Sequence, residues 1–129
     1  MCGGGVALIR AEESIDPDAL GLWGDEATGA TIVRTALSAP AALIAKNAGH
    51  EGGVIVERIR TDSDGMGFDV AAGQWVDLLR AGIMDPARVT RSALQNAASV
   101  AALLLTTEGA VLEKPEDEAS SPGRDRHIH

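Results

Sequence analysis

A mostly helical chain is predicted, on three observations. Apolar residues fill 45% of 129 positions, yet only one Phe, two Trp and no Tyr are among them. Ala, Leu, Val and Ile must therefore build the core, a mix that packs between helices more readily than between sheets. Apolar residues also recur at three- and four-residue spacing from Asp25 to Ala48. Finally, Asp85-Pro86 reads as a helix N-cap and first position, opening a stretch that runs to about Thr107, ahead of Gly109. A chain of this length suits one compact domain that buries roughly two-thirds of its unfolded surface.

Gly3, Gly4 and Gly5 make a turn that feeds Val6-Ala7-Leu8-Ile9-Arg10 into a first helix, expected to fade near Asp16-Pro17. A second helix spans Asp25 to Ala48, with Gly49 as its stop and a kink or change of direction at Pro40. Val54 to Arg60 is ambiguous. Its β-branched residues favour a strand, while a short helix also groups Val54, Ile55, Arg58 and Ile59. Thr61 to Gly67, TDSDGMG, is a loop or hairpin tip, and Gln74 to Ala81 is a short amphipathic piece stopped by Gly82. The last helix would span roughly 33 Å at 1.5 Å per residue. Its second half, Ala97 to Leu105, is apolar nearly all round, as in a helix buried on every side. Beyond Val111 and Leu112 the tail is charged and rich in Pro and Ser, and is expected to be disordered. No internal repeat is present.

Nineteen acidic against eleven basic residues give a formal charge of −8, which repels phosphate backbones and anionic lipid and disfavours nucleic-acid binding. The one cysteine, Cys2, forms no internal disulfide, and MCGGGVALIR lacks a basic leader and a long apolar stretch, which points to the cytoplasm. The longest uncharged apolar-rich run, Ser92 to Thr107, falls short of the roughly 20 residues that cross a bilayer, so no membrane span is predicted.

Asp62, Asp64 and Asp69 lie in a Gly-rich segment, but their spacing does not match an EF-hand loop and they are assigned to a solvated turn. His127 and His129 lack a third ligand, so no metal site is predicted. No Ser, Cys or His is placed for nucleophilic catalysis, and nothing in MCGGG would lower the Cys2 thiol pKa. No catalytic residue is assigned.

The run DPARVTRSALQNAASVAALLLTTEGAV, Asp85 to Val111, resembles the C-terminal helix of GroEL-type group I chaperonins, the bacterial ring-forming folding machines. The same resemblance covers GGGVALIR from Gly3, GDEATGATIVRTAL from Gly24, NAGHEGGVIVE from Asn47 and GMGFDVAAGQWVDLLRAGIMDP from Gly65, in family order. It implies that residues 1–115 are the C-terminal half of an equatorial, ATP-binding domain, followed by a disordered polar tail, 116–129. It implies a helical Val54 to Arg60, and an edge strand at Val111 to Glu113 that pairs with a neighbouring subunit.

The resemblance also implies a site. Gly4 matches the glycine lying against the nucleotide, where a missing side chain permits close approach. Asp69, Val70 and Ala71 match the stretch beside the adenine, and Asp85 matches the carboxylate on the ribose hydroxyls. Many members carry Asn where Asp69 stands; a carboxylate accepts hydrogen bonds and cannot donate them, so backbone contacts from Asp69 to Ala71 are expected to dominate. ATP is the implied cofactor. Magnesium, the phosphate loop and the hydrolytic aspartate belong to family segments not found in this sequence, so no ATPase activity is expected of the chain alone. The implied partners are other chaperonin subunits, unfolded client proteins and a co-chaperonin. An alternative is a non-enzymatic module, docking on full-length subunits or acting as a weak holdase through its apolar helix, or a truncated remnant.

Overall fold

The computed structural model describes residues 1–107 as five α-helices and a two-stranded sheet. The tail from 116 and the Val111 to Glu113 strand lie outside the described residues. Helix α1 (Val6–Ala11) leaves the glycine turn with Gly5 at its N-cap and continues into a 3-10 turn, Glu12–Ser14, that ends before Asp16-Pro17 as expected.

The long second helix is in fact two, α2 (Asp25–Ala36) and α3 (Ala39–Asn47). The break falls at Leu37-Ser38, where Leu37 is buried and the Ser38 hydroxyl donates to the Thr35 carbonyl. Pro40 therefore occupies the second position of α3, where its missing N–H removes no helical bond. Gly49 stops α3: its N–H donates to the Lys46 carbonyl and that of His50 to Ala45, a Schellman pattern. By length and composition alone, the 23 residues Asp25–Asn47 meet the test for a membrane span that Ser92 to Thr107 failed. The turn interrupts them, and Ala41 and Ala45 are buried inside the protein.

Val54 to Arg60 is helical, within α4 (Gly52–Thr61). β-branching costs only a few tenths of a kcal/mol per helical residue, whereas burying Val56 and Ile59 gains about 1.5–3 kcal/mol each. Tertiary packing therefore overrides propensity. Helix α4 packs on α3 and α1, and its contact with α3 requires Gly52, where a Cβ would stand 2.6 Å from the Ala42 carbonyl oxygen. The core is small: Val6, Ile9, Ala41, Val56, Ile59 and Leu78, flanked by partly buried Ile55, Trp75, Val76 and Ile83.

Strands β1 (Met66–Asp69) and β2 (Gln74–Asp77) pair antiparallel, Phe68 opposite Trp75 and Asp69 opposite Gln74. This corrects the reading of Gln74 to Ala81 as one amphipathic piece and moves the hairpin tip from Thr61–Gly67 to residues 70–73. The second strand is only four residues long, after which the chain turns to bury Leu78 completely.

Helix α5 (Ala87–Thr106) starts later than expected. The Pro86 carbonyl accepts from the Val89 and Thr90 N–H groups, so Pro86 takes the N-cap place assigned to Asp85. Contacts divide the chain within this helix, into Met1–Leu94 and the residues from Gln95. No residue of α5 is buried, and Leu103 and Leu105 are 68% and 88% exposed. The expectation of a helix buried on every side is thus overturned: composition sets how much apolar surface a helix carries, and neighbours decide whether it is covered.

Candidate nucleotide-binding site

The N-terminal residues run antiparallel to the segment that precedes α5. Cys2 bridges Met84, the Gly3 N–H donates to the Ile83 carbonyl at 3.0 Å, and the Asp85 N–H donates to the Met1 carbonyl at 3.1 Å. The Met1 ammonium donates back to the Asp85 carbonyl at 3.2 Å. In this register Met1 stands opposite Asp85 and Gly3 opposite Ile83, so Gly4 lies past the other end of the pairing, about 10 Å of strand from Asp85. Gly4 has φ +65° and nothing within 4 Å of where a Cβ would lie, so the turn is open on that side. Gly5 is the opposite case, since a Cβ there would stand 2.8 Å from the Ala41 nitrogen. Asp85 is exposed, and among the described residues its carboxylate takes no hydrogen bond.

Asp69, Val70 and Ala71 form the other half of the predicted set. Asp69 Oδ1 accepts from the Ala71 and Ala72 N–H groups at 3.0 and 3.1 Å, and the Asp69 carbonyl accepts from Gly73 at 2.8 Å. These bonds close the hairpin loop. An Asn oxygen could make the same side-chain bonds, so the turn accommodates either residue; the Ala71 N–H is already engaged, which narrows the backbone contacts expected there. The tip lies ~10 Å of strand away from the hairpin base, where Leu78 and Ile83 are tied by backbone bonds. Among the described residues no hydrogen bond joins Gly4, Asp85 and the hairpin tip to one another: Asp85 is tied to Met1, Gly4 follows the far end of that pairing, and the hairpin residues are held separately.

Two polar constellations escaped the sequence reading. Glu12, 6% exposed, receives both Nε and Nη2 of Arg60 at 2.9 and 3.0 Å, a bidentate pair between the end of α1 and α4. The Glu12 hydrogen bond, with its charge, raises the Arg60 pKa further above its usual value. At the end of α4, Asp62 Oδ1 accepts from the Ser63 N–H and Oδ2 from the Trp75 indole N–H, the first being the main reason its carboxyl pKa is lowered. Asp64 lies 3.4 Å from Arg10 Nε. Asp62, Asp64 and Asp69 therefore each serve a separate set of partners. The 48-residue separation of Glu12 from Arg60 gave no local signal of their pairing.

A polar cleft of about 380 Å³, lined by Glu12, Glu13, Thr31, Arg34, Thr35 and Arg60, contains none of the five predicted residues. Among the described residues no three His, Cys, Asp or Glu side chains gather to hold a metal ion. The exposed Asp85 carboxylate could accept hydrogen bonds from sugar hydroxyls, and the turn at Gly4 is open; for magnesium these residues offer no ligand set.

This arrangement is that of a helical fragment of a chaperonin equatorial domain. Residues 1–115 match the model of the TCP-1/cpn60 chaperonin family, and the chain belongs to that family. Its fold resembles an open-state group II chaperonin monomer from Methanococcoides burtonii, with a TM-score of 0.75 at 22% identity over 83% of this chain. It also resembles a group III chaperonin in the open state, with a TM-score of 0.76 at 28% identity over 86% of this chain. The chain spans 28% and 24% of those two proteins. These comparisons support the family broadly, without carrying the group I assignment suggested by the sequence motifs.

Proposed function

We propose that this chain is the C-terminal part of a group I type equatorial domain and contributes the adenosine side of an ATP site through Gly4, Asp69, Val70, Ala71 and Asp85. The observation that carries the reading is the antiparallel pairing of residues 1–3 with residues 83–85, which fixes the open Gly4 turn and the unengaged Asp85 carboxylate at its two ends. In this reading Asp85 accepts hydrogen bonds from ribose hydroxyls, Gly4 leaves room for close approach, and the hairpin tip flanks the base. ATP, when bound, supplies the phosphoryl group whose transfer drives the family's conformational cycle. Phosphates and magnesium fall to segments other than these. Ring assembly with other chaperonin subunits, client folding with a co-chaperonin, and a cytoplasmic location complete the proposal.

Isothermal titration of ATP into the purified chain, beside sizing chromatography, tests it. The expected result is saturable binding that Asp85→Ala weakens at least tenfold while the variant remains folded; absence of binding, or an unaffected Asp85→Ala variant, overturns it. The exposed apolar surface of α5 favours a second reading, an ATP-independent holdase. Suppression of client aggregation without nucleotide, lost in a Leu103→Glu variant, would distinguish that activity.

A further inference from the structure

We propose that Trp75 is a positioning residue for the loop carrying Asp69, Val70 and Ala71, and that it couples this loop to the helix starting at the glycine turn. The functional meaning of the coupling rests on the nucleotide reading above. A two-stranded hairpin is at best marginally stable by itself in water, so its tip is placed by what its strands pack against. Phe68 and Trp75 stand opposite each other, one residue pair below the Asp69–Gln74 pair that closes the loop.

Each aromatic residue is held from a different end of α4. The Phe68 ring meets His50 edge to face, with centroids 4.6 Å apart and planes at 77°, and His50 is itself fixed by its N–H bond to the Ala45 carbonyl at 2.9 Å. At the other end the Arg58 guanidinium lies 4.2 Å from the Trp75 ring centroid, and the indole N–H donates to Asp62 Oδ2 at 2.6 Å. Asp62 is anchored in turn: its carbonyl accepts from Arg10 Nη2 at 2.9 Å, and the Ser63 carbonyl accepts from the same nitrogen at 3.0 Å. Arg10 stands on α1, whose N-cap is Gly5, beside Gly4. A continuous path of contacts therefore runs from the glycine turn through α1, Arg10, Asp62 and Trp75 into β2 and the loop. It joins the glycine turn at Gly4 to the loop at Asp69, Val70 and Ala71, which no hydrogen bond among the described residues links directly.

Amide hydrogen exchange by NMR on the full chain tests this, comparing wild type, Trp75→Phe and Asp62→Asn. Trp75→Phe keeps a ring for Arg58 and removes the indole donor; Asp62→Asn keeps an oxygen to accept it. The expected result is at least tenfold faster exchange at Ala71, Ala72 and Gly73 in Trp75→Phe, less than threefold in Asp62→Asn, and unchanged exchange at Val56 and Ile59. Unchanged loop exchange in Trp75→Phe, or an equal rise in α4, overturns the proposal. ATP titration separates it from the function it rests on. If wild type binds, Trp75→Phe should weaken affinity at least tenfold and Asp62→Asn less than threefold, and an unaffected Trp75→Phe affinity overturns the positioning role. If wild type binds no ATP, the nucleotide reading fails while loop exchange still reports the coupling.

Discussion

Gly4 and Gly5 are adjacent, share a left-handed backbone and answer to different constraints. At both, a side chain costs about 1–2 kcal/mol from backbone conformation alone. At Gly5 the added Cβ also meets the Ala41 backbone, about 1–3 kcal/mol more by overpacking. Urea unfolding should therefore show Gly5→Ala to be the more destabilised variant, with Gly4→Ala losing about 1 kcal/mol. Asp62 supplies a pH prediction. Its folded pKa is lowered, so its contribution to stability is present above the unfolded value near 4 and is lost as pH falls through the folded value. The stability difference between wild type and Asp62→Asn, followed by circular dichroism, should accordingly be constant near neutrality and shrink in the acid range below about pH 4. Residue-scale roles were unevenly legible. Asp69 looked like turn chemistry and closes a turn, whereas nothing near Trp75 in the sequence named Asp62 as its partner.

At the scale of elements, α4 is the instructive segment. Its valines and isoleucines favoured a strand, and it folds as a helix because Val56 and Ile59 bury together against α1 and α3. The Arg60–Glu12 pair ties this helix to the end of α1. Replacing Arg60 by Leu leaves the Glu12 carboxylate buried without its counter-charge; a loss of about 2 kcal/mol is expected in chemical denaturation, below the full 3–5 kcal/mol of a buried pair because the Arg60 side chain is 40% exposed. Glu57→Gln, which removes only a 3.4 Å surface contact, should change stability by less than about 0.5 kcal/mol. Helix ends marked by Gly49 and Pro86 were readable within a residue or two, since those signals act over one turn. The hairpin was not, because four-residue strands carry too short an alternation to distinguish from a helical turn.

Across the described residues the buried core is confined to α1, α3, α4 and the hairpin region, while α2 and α5 bury no residue. Large apolar side chains stay exposed on both, Ile32 at 64% and Leu104 at 67%. Substituting Leu104 by Glu removes exposed apolar area without opening a cavity, so the thermal midpoint should hold within the equivalent of about 0.5 kcal/mol while self-association falls in sedimentation velocity. An unchanged association state would mean that this surface takes no part in self-contact. The chain matches only about a quarter of the two chaperonins it resembles, and its apolar helices carry more surface than its own core covers.

The sequence by itself determined the helical class, the start of α1, the stop of α3 at Gly49, the start of α5 to within a residue or two, the glycine turn, and the family, the last through long motifs in order. These properties depend on neighbours within a few positions or on residue identity alone. Tertiary structure decided that Val54 to Arg60 is a helix, that Glu12 meets Arg60, and that Met1 pairs with Asp85 across 84 positions, so that the glycine turn and the segment before α5 share one short antiparallel pairing. Such pairings depend on which buried surfaces and backbone groups find one another once the chain closes, and local propensities of tenths of a kcal/mol yield to burial energies several times larger.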